Sequence, residues 1–305
     1  MVKVNKILVI GGTGFIGYHV IKEALKRRWK VTSISTSKPK KLRRHPKVDY
    51  KIANLENIKS LSKAIKGSYD YVVNAGGYGK NPDFNKDGVK LFKTHYQGTI
   101  NLVEILSNKK IKKFVQIGSS AEYGYMKSPL KEHKHCDPKT PYGIAKYLST
   151  QFLLNMHSVK RFPSIILRFF LVYGPKQDQN RILPIVIENC LRDKKFPTTK
   201  GDQYCDFCHI NDAIKAIFKS LLLKSINGEI INIGSGKPIQ IKKVIKLVKN
   251  LIGKGKPQIG KLQYKIGTNK KLYPSIIKAK KKINWKPSIT FEKGLKETIT
   301  NFYER

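Results

Sequence analysis

Short apolar runs alternate with amphipathic stretches along the first half of the chain. The segments "KILVI", "KVTSIST", "DYVVNAGG" and "KKFVQIGSS" are apolar runs of strand length. Around them, "YHVIKEALKRR" and "GTINLVEILSNKK" carry their apolar residues at helical spacing. Apolar runs are typical of strands buried on both faces, and strands that alternate with helices favour a parallel sheet. The pattern predicts an α/β fold, a doubly wound parallel sheet of the Rossmann type.

The alternation of predicted strands and helices continues to residue 173 and then becomes less regular. "TPYGIAKYLSTQFLLNMHS" predicts a helix with Thr140 as N-cap and Pro141 in its first turn, and "SIILRFFLVYG" predicts a further strand. From Gly174 the pattern is less regular, which predicts a smaller, mostly helical C-terminal substrate domain, although "GEIINIGSG" again reads as a buried strand. We therefore expect a nucleotide-binding domain over 1–173 with an interleaved stretch 205–233, and a substrate-binding region over 174–204 and 234–305.

Composition supports a folded globule and narrows its partners. The chain has 305 residues, of which 40% are hydrophobic, enough for a full core. Its formal net charge is +41, yet the lysines are spread through nearly every segment. A nucleic-acid protein would be expected to gather them on one face or in a tail, with aromatic residues between them. We therefore expect no nucleic-acid partner, while the charge favours acidic small molecules.

Export and membrane insertion are not expected. The first residues, "MVKVNKILVI", lack the apolar stretch and cleavage site of a signal peptide. No segment approaches the roughly 18 consecutive apolar residues that a membrane span requires. Four cysteines in a chain of this length do not form a disulfide framework. These features predict a cytoplasmic protein without membrane contact.

A glycine-rich motif follows the first predicted strand. "GGTGFIG" places Gly11, Gly14 and Gly17 between a strand and a helix that Phe15 and Ile16 open. Such a loop lets the backbone approach a pyrophosphate, and the helix N-terminus offers N–H groups and a positive dipole. An ordinary strand-to-helix turn is the alternative, but the position at the first βαβ unit favours dinucleotide binding.

The second predicted strand ends without the acid that an NAD-binding unit offers to the adenosine ribose. Hydroxyl groups stand there instead, and cations follow them: Ser35, Thr36, Ser37, Lys38, Lys40, Lys41, Arg43 and Arg44. Hydroxyl groups and cations suit a 2′-phosphate, which a carboxylate would repel. This favours NADP(H), with NAD(H) as the alternative if the run is simply a solvated lysine segment.

Four side chains suggest acid–base chemistry. Ser119 and Ser120 end the strand "KKFVQIGSS", and "PYGIAKY" places Tyr142 and Lys146 four residues apart on one helical face. A phenol has a pKa of about 10, and a neighbouring ammonium brings it nearer to neutrality by favouring the phenolate. The Y-x-x-x-K pair is common alone, but together with the glycine loop and the serines it indicates a redox site.

These motifs resemble the extended short-chain dehydrogenases/reductases, and specifically the NAD-dependent epimerase/dehydratase family, which acts on nucleotide sugars. The similarity spans essentially the whole chain through "GGTGFIG", "NAGG", "GSSAEYG", "PYGIAK", "RFFLVYGP", "DFCHINDA", "NIGSG" and "INWKPSITFEKGLKETI". The resemblance implies that Tyr142 is the acid–base residue and that Lys146 also binds the nicotinamide ribose. It implies Ser119 as the active hydroxyl, with Ser120 as the alternative.

The resemblance also implies further cofactor contacts and an assembly. The segment at Asn54 and Leu55 would lie near the adenine, and the segment Asn74, Ala75 and Gly76 would run along the cofactor. A nucleotide sugar would be the substrate, and helices of the sheet domain would build a homodimer.

Departures from the family pattern bear on the reaction. Relatives that dehydrate carry an Asp-Glu pair directly after the active hydroxyl, where this chain has Ser120 and Ala121, so dehydration is disfavoured. Typical 4-epimerases have an acid at the position that Ser35 occupies in this chain. They often have Asn at the position of Leu171 and Arg at the position of Cys205. The chain therefore looks more like an NAD(P)H-dependent reductase of nucleotide-linked 4-keto-6-deoxyhexoses in deoxysugar and surface-glycan biosynthesis. An NAD-dependent 4-epimerase is the alternative, and a non-catalytic, cofactor-sensing or RNA-binding member is a third reading.

Substrate contacts and a cysteine motif complete the predictions. Candidate substrate residues are Ser120, Leu171, Asn180, Arg181 and Cys205, with Arg181 suited to a diphosphate. "QYCDFCHIN" contains C-x-x-C-H, a spacing found in haem attachment and in half of a zinc site. In an extended segment Cys205 and Cys208 point to opposite faces, so they cannot share a metal. We expect no metal, a buried Cys208 and a structural His209.

Overall fold

The computed structural model describes residues 4–77, 82, 84–264 and 269–303. Its strands are β1 (Lys6–Ile10), β2 (Lys30–Ser35), β3 (Val48–Ile52), β4 (Tyr71–Asn74), β5 (Lys113–Ser119), β6 (Ser164–Phe169), β7 (Leu171–Tyr173), β8 (Lys195–Pro197), β9 (Tyr204–His209), β10 (Ile230–Ile233), β11 (Pro238–Gln240), β12 (Lys256–Gln258) and β13 (Lys271–Leu272).

The helices connect these strands. They are α1 (Phe15–Lys26), α2 (Ile58–Ala64), α3 (Val89–Leu91), α4 (Gly98–Ser107), α5 (Pro141–Lys160), α6 (Ile182–Leu191), α7 (Ile210–Leu222), α8 (Ile241–Ile252), α9 (Ile277–Ile283) and α10 (Phe291–Tyr303). Short 3₁₀ turns cover Lys41–Arg43, Ser120–Tyr123 and Lys224–Ile226, and π-helical segments cover Phe84–Gly88 and Phe92–Gln97. Among the residues described, no helix is both long and apolar enough to cross a membrane.

The large sheet has seven strands in the order β10-β6-β5-β4-β1-β2-β3, and every adjacent pair is parallel. The predicted Rossmann fold is therefore confirmed. The strand order reverses between β1 and β4, and ligands of such sheets bind at the carboxyl ends of the strands beside this reversal. The glycine loop follows β1 and the segment 74–76 ends β4, so two predicted cofactor segments meet at this point.

Except at the edge strand β3, the sheet is largely buried on both faces, which explains its apolar strands. In β1, Ile7, Leu8 and Val9 are fully buried. One face packs against α1, α7 and α9, and the other packs against α2, α4 and α5. Removing this apolar surface from water is the main force that holds helices and sheet together. The predicted N-cap of α5 is also confirmed, since the Thr140 hydroxyl accepts a hydrogen bond from Gly143 N at 3.1 Å.

The predicted strand "SIILRFFLVYG" is in fact two strands that belong to different sheets. β6 pairs with β5 and β10, whereas β7 pairs with β9. At the junction, Phe170 donates its backbone N–H to Ile233 O of β10 and packs into a small cluster with Tyr123 and Leu130. The residues on either side of the junction, Phe169 and Leu171, are apolar like Phe170 itself, so hydrophobicity alone does not mark the break.

The C-terminal region contains a small sheet as well as helices. In this sheet β9 pairs in parallel with β7 and β13 and antiparallel with β11. Its core includes residues of α6, α8 and α10. Within the stretch 205–233, β9 therefore lies in the small sheet, whereas α7 packs on the large sheet and β10 joins it. The proposed domain boundaries stay a prediction.

Candidate active site

The glycine loop forms a bare backbone surface at the start of α1. Gly11 adopts a φ of +75°, and a Cβ added there would lie 2.7 Å from Ala75 O. A Cβ at Gly17 would lie 2.2 Å from Gly11 O, so the helix and the loop approach each other closely. Gly14 caps α1 without a side-chain hydrogen bond, and no acid stands in the first turn. The loop and the N–H groups that follow it, at Phe15 and Ile16, therefore fit the pyrophosphate of a dinucleotide.

The end of β2 is joined to this loop. The Ser35 hydroxyl accepts a hydrogen bond from Thr13 N at 3.3 Å. Thr36 and Lys38 lie beyond it and are exposed. The structure therefore brings Ser35 to the glycine loop at the position where this fold binds the adenosine ribose.

The segments after β3 and β4 form the other wall of the predicted cofactor cleft. Asn74 is buried, donates to Gln116 Oε1 at 2.9 Å and accepts from Gly76 N at 3.2 Å. A Cβ at Gly76 would lie 2.7 Å from Ile10 Cγ2 and 3.1 Å from Leu55 Cδ1. A larger residue at this position would therefore displace the backbone or its neighbours. Asn54 is exposed, and its Oδ1 accepts from Glu56 N at 3.1 Å.

Ser119, Tyr142 and Lys146 lie together where β5 ends and α5 begins. The pKa of Tyr142 is raised, which is the opposite of the change expected from a neighbouring ammonium: burial has the largest effect, a hydrogen bond with Ser119 lowers the pKa, the Glu122 carboxylate raises it and the Arg181 charge lowers it. The Lys146 ammonium lies 5.9 Å from the Tyr142 ring centroid and donates to Ile117 O at 2.8 Å. Burial lowers the pKa of Lys146 from 10.5 to about 8, and the Glu122 charge opposes that change. The structure therefore brings together a hydroxyl, a phenol and an amine, which are side-chain types that acid–base chemistry uses.

A buried ion pair supports the triad, and the sequence reading did not find it. Glu122 Oε2 accepts from Arg168 Nε at 2.7 Å and from Thr150 Oγ1 at 2.8 Å, and its Oε1 accepts from Ser119 N at 2.8 Å. Both charged side chains are at most 1% exposed. One signal was available, because Arg168 is the only charged residue of the buried strand "SIILRF", and such a residue needs a counter-ion.

His95 is a second residue that sequence reasoning missed. Its ring meets the Tyr142 ring edge to face, with centroids 5.3 Å apart. A Cβ at Gly77 would lie 1.9 Å from His95 Cε1, so the imidazole fills the space against the end of the 74–77 segment. Ser149 donates its hydroxyl to His95 O at 3.1 Å. No local sequence pattern marks this position as part of a site.

The predicted substrate residues separate into two groups. Ser120 is buried directly after Ser119, while Asn180 and Arg181 are exposed at the start of α6. Arg181 is near enough for its charge to act on Tyr142, although burial has the larger effect on the Tyr142 pKa. Leu171 and Cys205 are half-buried and pack against the C-terminal core.

The cysteine motif belongs to β9 and to the start of α7. Cys205 and Cys208 are three positions apart in β9, so their side chains leave opposite faces. Burial raises the pKa of Cys205 to about 11 and that of Cys208 well above its usual value. His209 caps α7, since its Nδ1 accepts from Asn211 N at 3.4 Å. Within the described part of the chain, no group of three or more His, Cys, Asp or Glu side chains is arranged to hold a metal ion.

Comparisons with known proteins show which proteins this chain resembles. Residues 7–234 match the sequence profile of the NAD dependent epimerase/dehydratase family. A putative UDP-glucose 4-epimerase from Methanocaldococcus jannaschii is 29% identical over 318 residues, which cover 96% of this chain and 97% of that protein. A UDP-glucuronate 4-epimerase from Thermodesulfobacterium geofontis is 33% identical over 205 residues, which cover 66% of this chain and 62% of that protein.

A solved structure extends the comparison to three dimensions. UDP-glucuronic acid 4-epimerase from Bacillus cereus, in complex with UDP-glucuronic acid and NAD, superposes with a TM-score of 0.90 at 27% identity. The superposition covers 98% of this chain and 99% of that one. The relatives named here are thus 4-epimerases of UDP-sugars, and the structural neighbour carries NAD.

Proposed function

This chain belongs to the NAD dependent epimerase/dehydratase family, and from that premise we propose that it is a 4-epimerase of a UDP-linked hexose. Membership makes it a nucleotide-sugar enzyme, and the epimerase reading is the finer step. It reverses the order of the two readings that the sequence suggested, because the named relatives are 4-epimerases of UDP-sugars.

The observation that carries the proposal is the grouping of a serine hydroxyl, a phenol and an ammonium in the sheet domain that also holds the glycine loop. The Tyr142 phenolate would take the proton of the sugar 4-hydroxyl, and the resulting phenol would later return it to the 4-oxygen of the other epimer. Ser119 would hold that oxygen, and the Lys146 ammonium would stabilise the phenolate. A bound nicotinamide would supply reversible hydride acceptance and donation at the sugar carbon. The net reaction consumes neither protons nor electrons.

Glu122 argues against dehydration. Elimination of water needs an acid that faces the sugar to protonate the leaving hydroxyl. Glu122 is fully buried, and both of its oxygens are engaged by Arg168, Thr150 and the backbone of Ser119. The two positions between Ser119 and Glu122 hold Ser120 and Ala121, which have no carboxylate.

A ketoreductase of nucleotide-linked 4-keto-6-deoxyhexoses is the second candidate. The observation that favours it is the end of β2, where Ser35 and the cations after it stand in place of a ribose-binding acid. A reductase exchanges its cofactor at every turnover, and cellular reduction commonly draws on NADPH. An epimerase regenerates its cofactor in place and needs no exchange.

The test uses the purified full chain with UDP-glucose, UDP-galactose and UDP-glucuronate, without added reductant. Interconversion of a C4 epimer pair, followed by proton NMR of the anomeric signals, is the expected result. A parallel reaction offers NADPH or NADH with nucleotide-linked 4-keto-6-deoxyhexoses. Oxidation of either cofactor there, without epimerisation of the UDP-sugars, would replace the proposal by the reductase.

A further inference from the structure

One arginine of the basic run reaches back to the glycine loop. Arg43 lies in the 3₁₀ turn between β2 and β3, and its side chain is only 15% exposed. One terminal nitrogen donates to Thr13 O at 3.3 Å. The other donates to Asp178 Oδ1 at 2.7 Å and also to Lys176 O. Arg43 therefore bridges the glycine loop and the segment that follows β7.

This bridge stands beside the predicted adenosine ribose. Thr13 accepts from Arg43 through its carbonyl and donates to the Ser35 hydroxyl through its N–H. Ser35 ends β2, where this fold binds the ribose, and a nearby arginine is the usual receptor of a 2′-phosphate. Here the best-placed guanidinium is already engaged by a carboxylate.

We propose that the Arg43–Asp178 pair determines cofactor choice and favours the dinucleotide without a 2′-phosphate. This rests on the dinucleotide site of the proposed function. NAD binds with the pair intact. A 2′-phosphate must displace Asp178 from the guanidinium, or else lie close to a carboxylate that repels it. The basic run by itself favours NADP. Its most buried cation, Arg43, is however paired with Asp178 and is therefore not available to bind a 2′-phosphate.

The pair also connects the two halves of the predicted site. Asp178 belongs to the segment that runs through Asn180 and Arg181 into α6. Displacing its carboxylate would remove one of the two contacts between Arg43 and this segment and leave the one with Lys176 O. The predicted substrate residues Asn180 and Arg181 are thus attached, through Asp178, to the edge of the ribose position.

The test measures binding rather than turnover. Dissociation constants of NAD⁺ and NADP⁺ are determined by calorimetry on the full chain, with 5′-ADP and 2′,5′-ADP as probes that lack the nicotinamide. The wild type should bind NAD⁺ more tightly than NADP⁺. Asp178→Asn removes the charge and keeps the shape, so the ratio should shift toward NADP⁺ by about tenfold, the value of a hydrogen bond to a charged group. Adding Arg43→Met to Asp178→Asn should cancel the shift.

Two matched controls separate the pair from general electrostatics. Asp49→Asn removes an equally exposed carboxylate that pairs with Lys51 on β3, and Arg44→Met removes the neighbouring cation. Both should leave the ratio within about twofold. A wild type that prefers NADP⁺, or an Asp178→Asn shift no larger than that of Asp49→Asn, overturns the inference alone. Absence of binding by either dinucleotide overturns both the inference and the proposed function.

Discussion

At the scale of single residues, the proposed chemistry depends on the phenol of Tyr142. Tyr142→Phe removes only the hydroxyl and keeps the ring that packs edge to face against His95. Turnover should fall by about 10²–10⁴-fold, the usual contribution of a positioned acid–base group. The affinity for the dinucleotide should change little, which calorimetry checks.

Tyr147 offers a matched control for this substitution. It lies on α5, five positions after Tyr142, and packs beside the cluster formed by Tyr123, Leu130, Cys136 and Phe170. Tyr147→Phe should retain turnover within about threefold. A Tyr142→Phe variant as active as Tyr147→Phe would reject the assigned role.

Lys146 makes folding stability depend on pH in a defined direction. Burial lowers its pKa from 10.5 to about 8, so the folded protein releases this proton at lower pH than the unfolded chain. Below about pH 8 the buried ammonium costs stability, and the cost disappears as the pH rises toward 10.5. Relative to Lys146→Met, the wild type should therefore gain about 3 kcal/mol between about pH 7 and about pH 10.5.

Urea unfolding at both pH values measures this difference. Lys160→Met, which removes an exposed lysine at the end of the same helix, supplies the reference pH dependence. A wild type whose stability relative to Lys146→Met is the same at both pH values would contradict the assigned desolvation of Lys146.

At the scale of elements, the turn between β5 and α5 is fixed by the Glu122–Arg168 pair. Glu122→Gln would leave the Arg168 guanidinium buried without a counter-ion, which should lower the free energy of unfolding by about 3–5 kcal/mol. Glu188→Gln breaks an exposed pair with Arg192 on α6 and should cost about 0.5 kcal/mol. Urea unfolding of both variants compares them. Equal losses would show that the buried pair does not hold the turn.

The same elements show what local sequence can and cannot predict. Six of the seven strands of the large sheet were predictable because they lie within apolar runs. The edge strand β3, "VDYKI", was missed because it has polar residues and none of its residues is fully buried. The small sheet was not predictable, since β7, β11 and β13 have only two or three residues and join β9 from distant parts of the chain. Short strands of this kind leave no periodic signal.

The candidate active site also has parts that local sequence predicts and parts that it does not. The glycine loop and the Tyr142–Lys146 pair are local patterns, and sequence spacing was enough to propose them. Glu122 meets Arg168 only because β5 and β6 are neighbours, with Gly118 opposite Arg168 in the register. A Cβ at Gly118 would lie 2.8 Å from Glu122 Oε1, so this glycine makes room for the ion pair. Such a contact depends on topology and cannot be found from spacing.

At the scale of the whole molecule, the net charge of +41 should act on substrate capture. A nucleotide sugar carries a diphosphate, and a positive field raises the rate at which an anion meets its site. The field does not change the triad, whose members lie within one buried group. Ionic strength should therefore affect KM and leave kcat nearly constant.

The measurement is a salt series with a UDP-sugar substrate. KM should rise about tenfold between about 20 mM and about 300 mM NaCl, because the screening length falls from more than 20 Å to less than 6 Å, and kcat should change less than about twofold. Sucrose at matched osmolality is the uncharged control and should leave KM unchanged. A KM that stays constant with salt would mean that the charge is spread too evenly to steer the substrate, and that the lysines serve only as solvated surface.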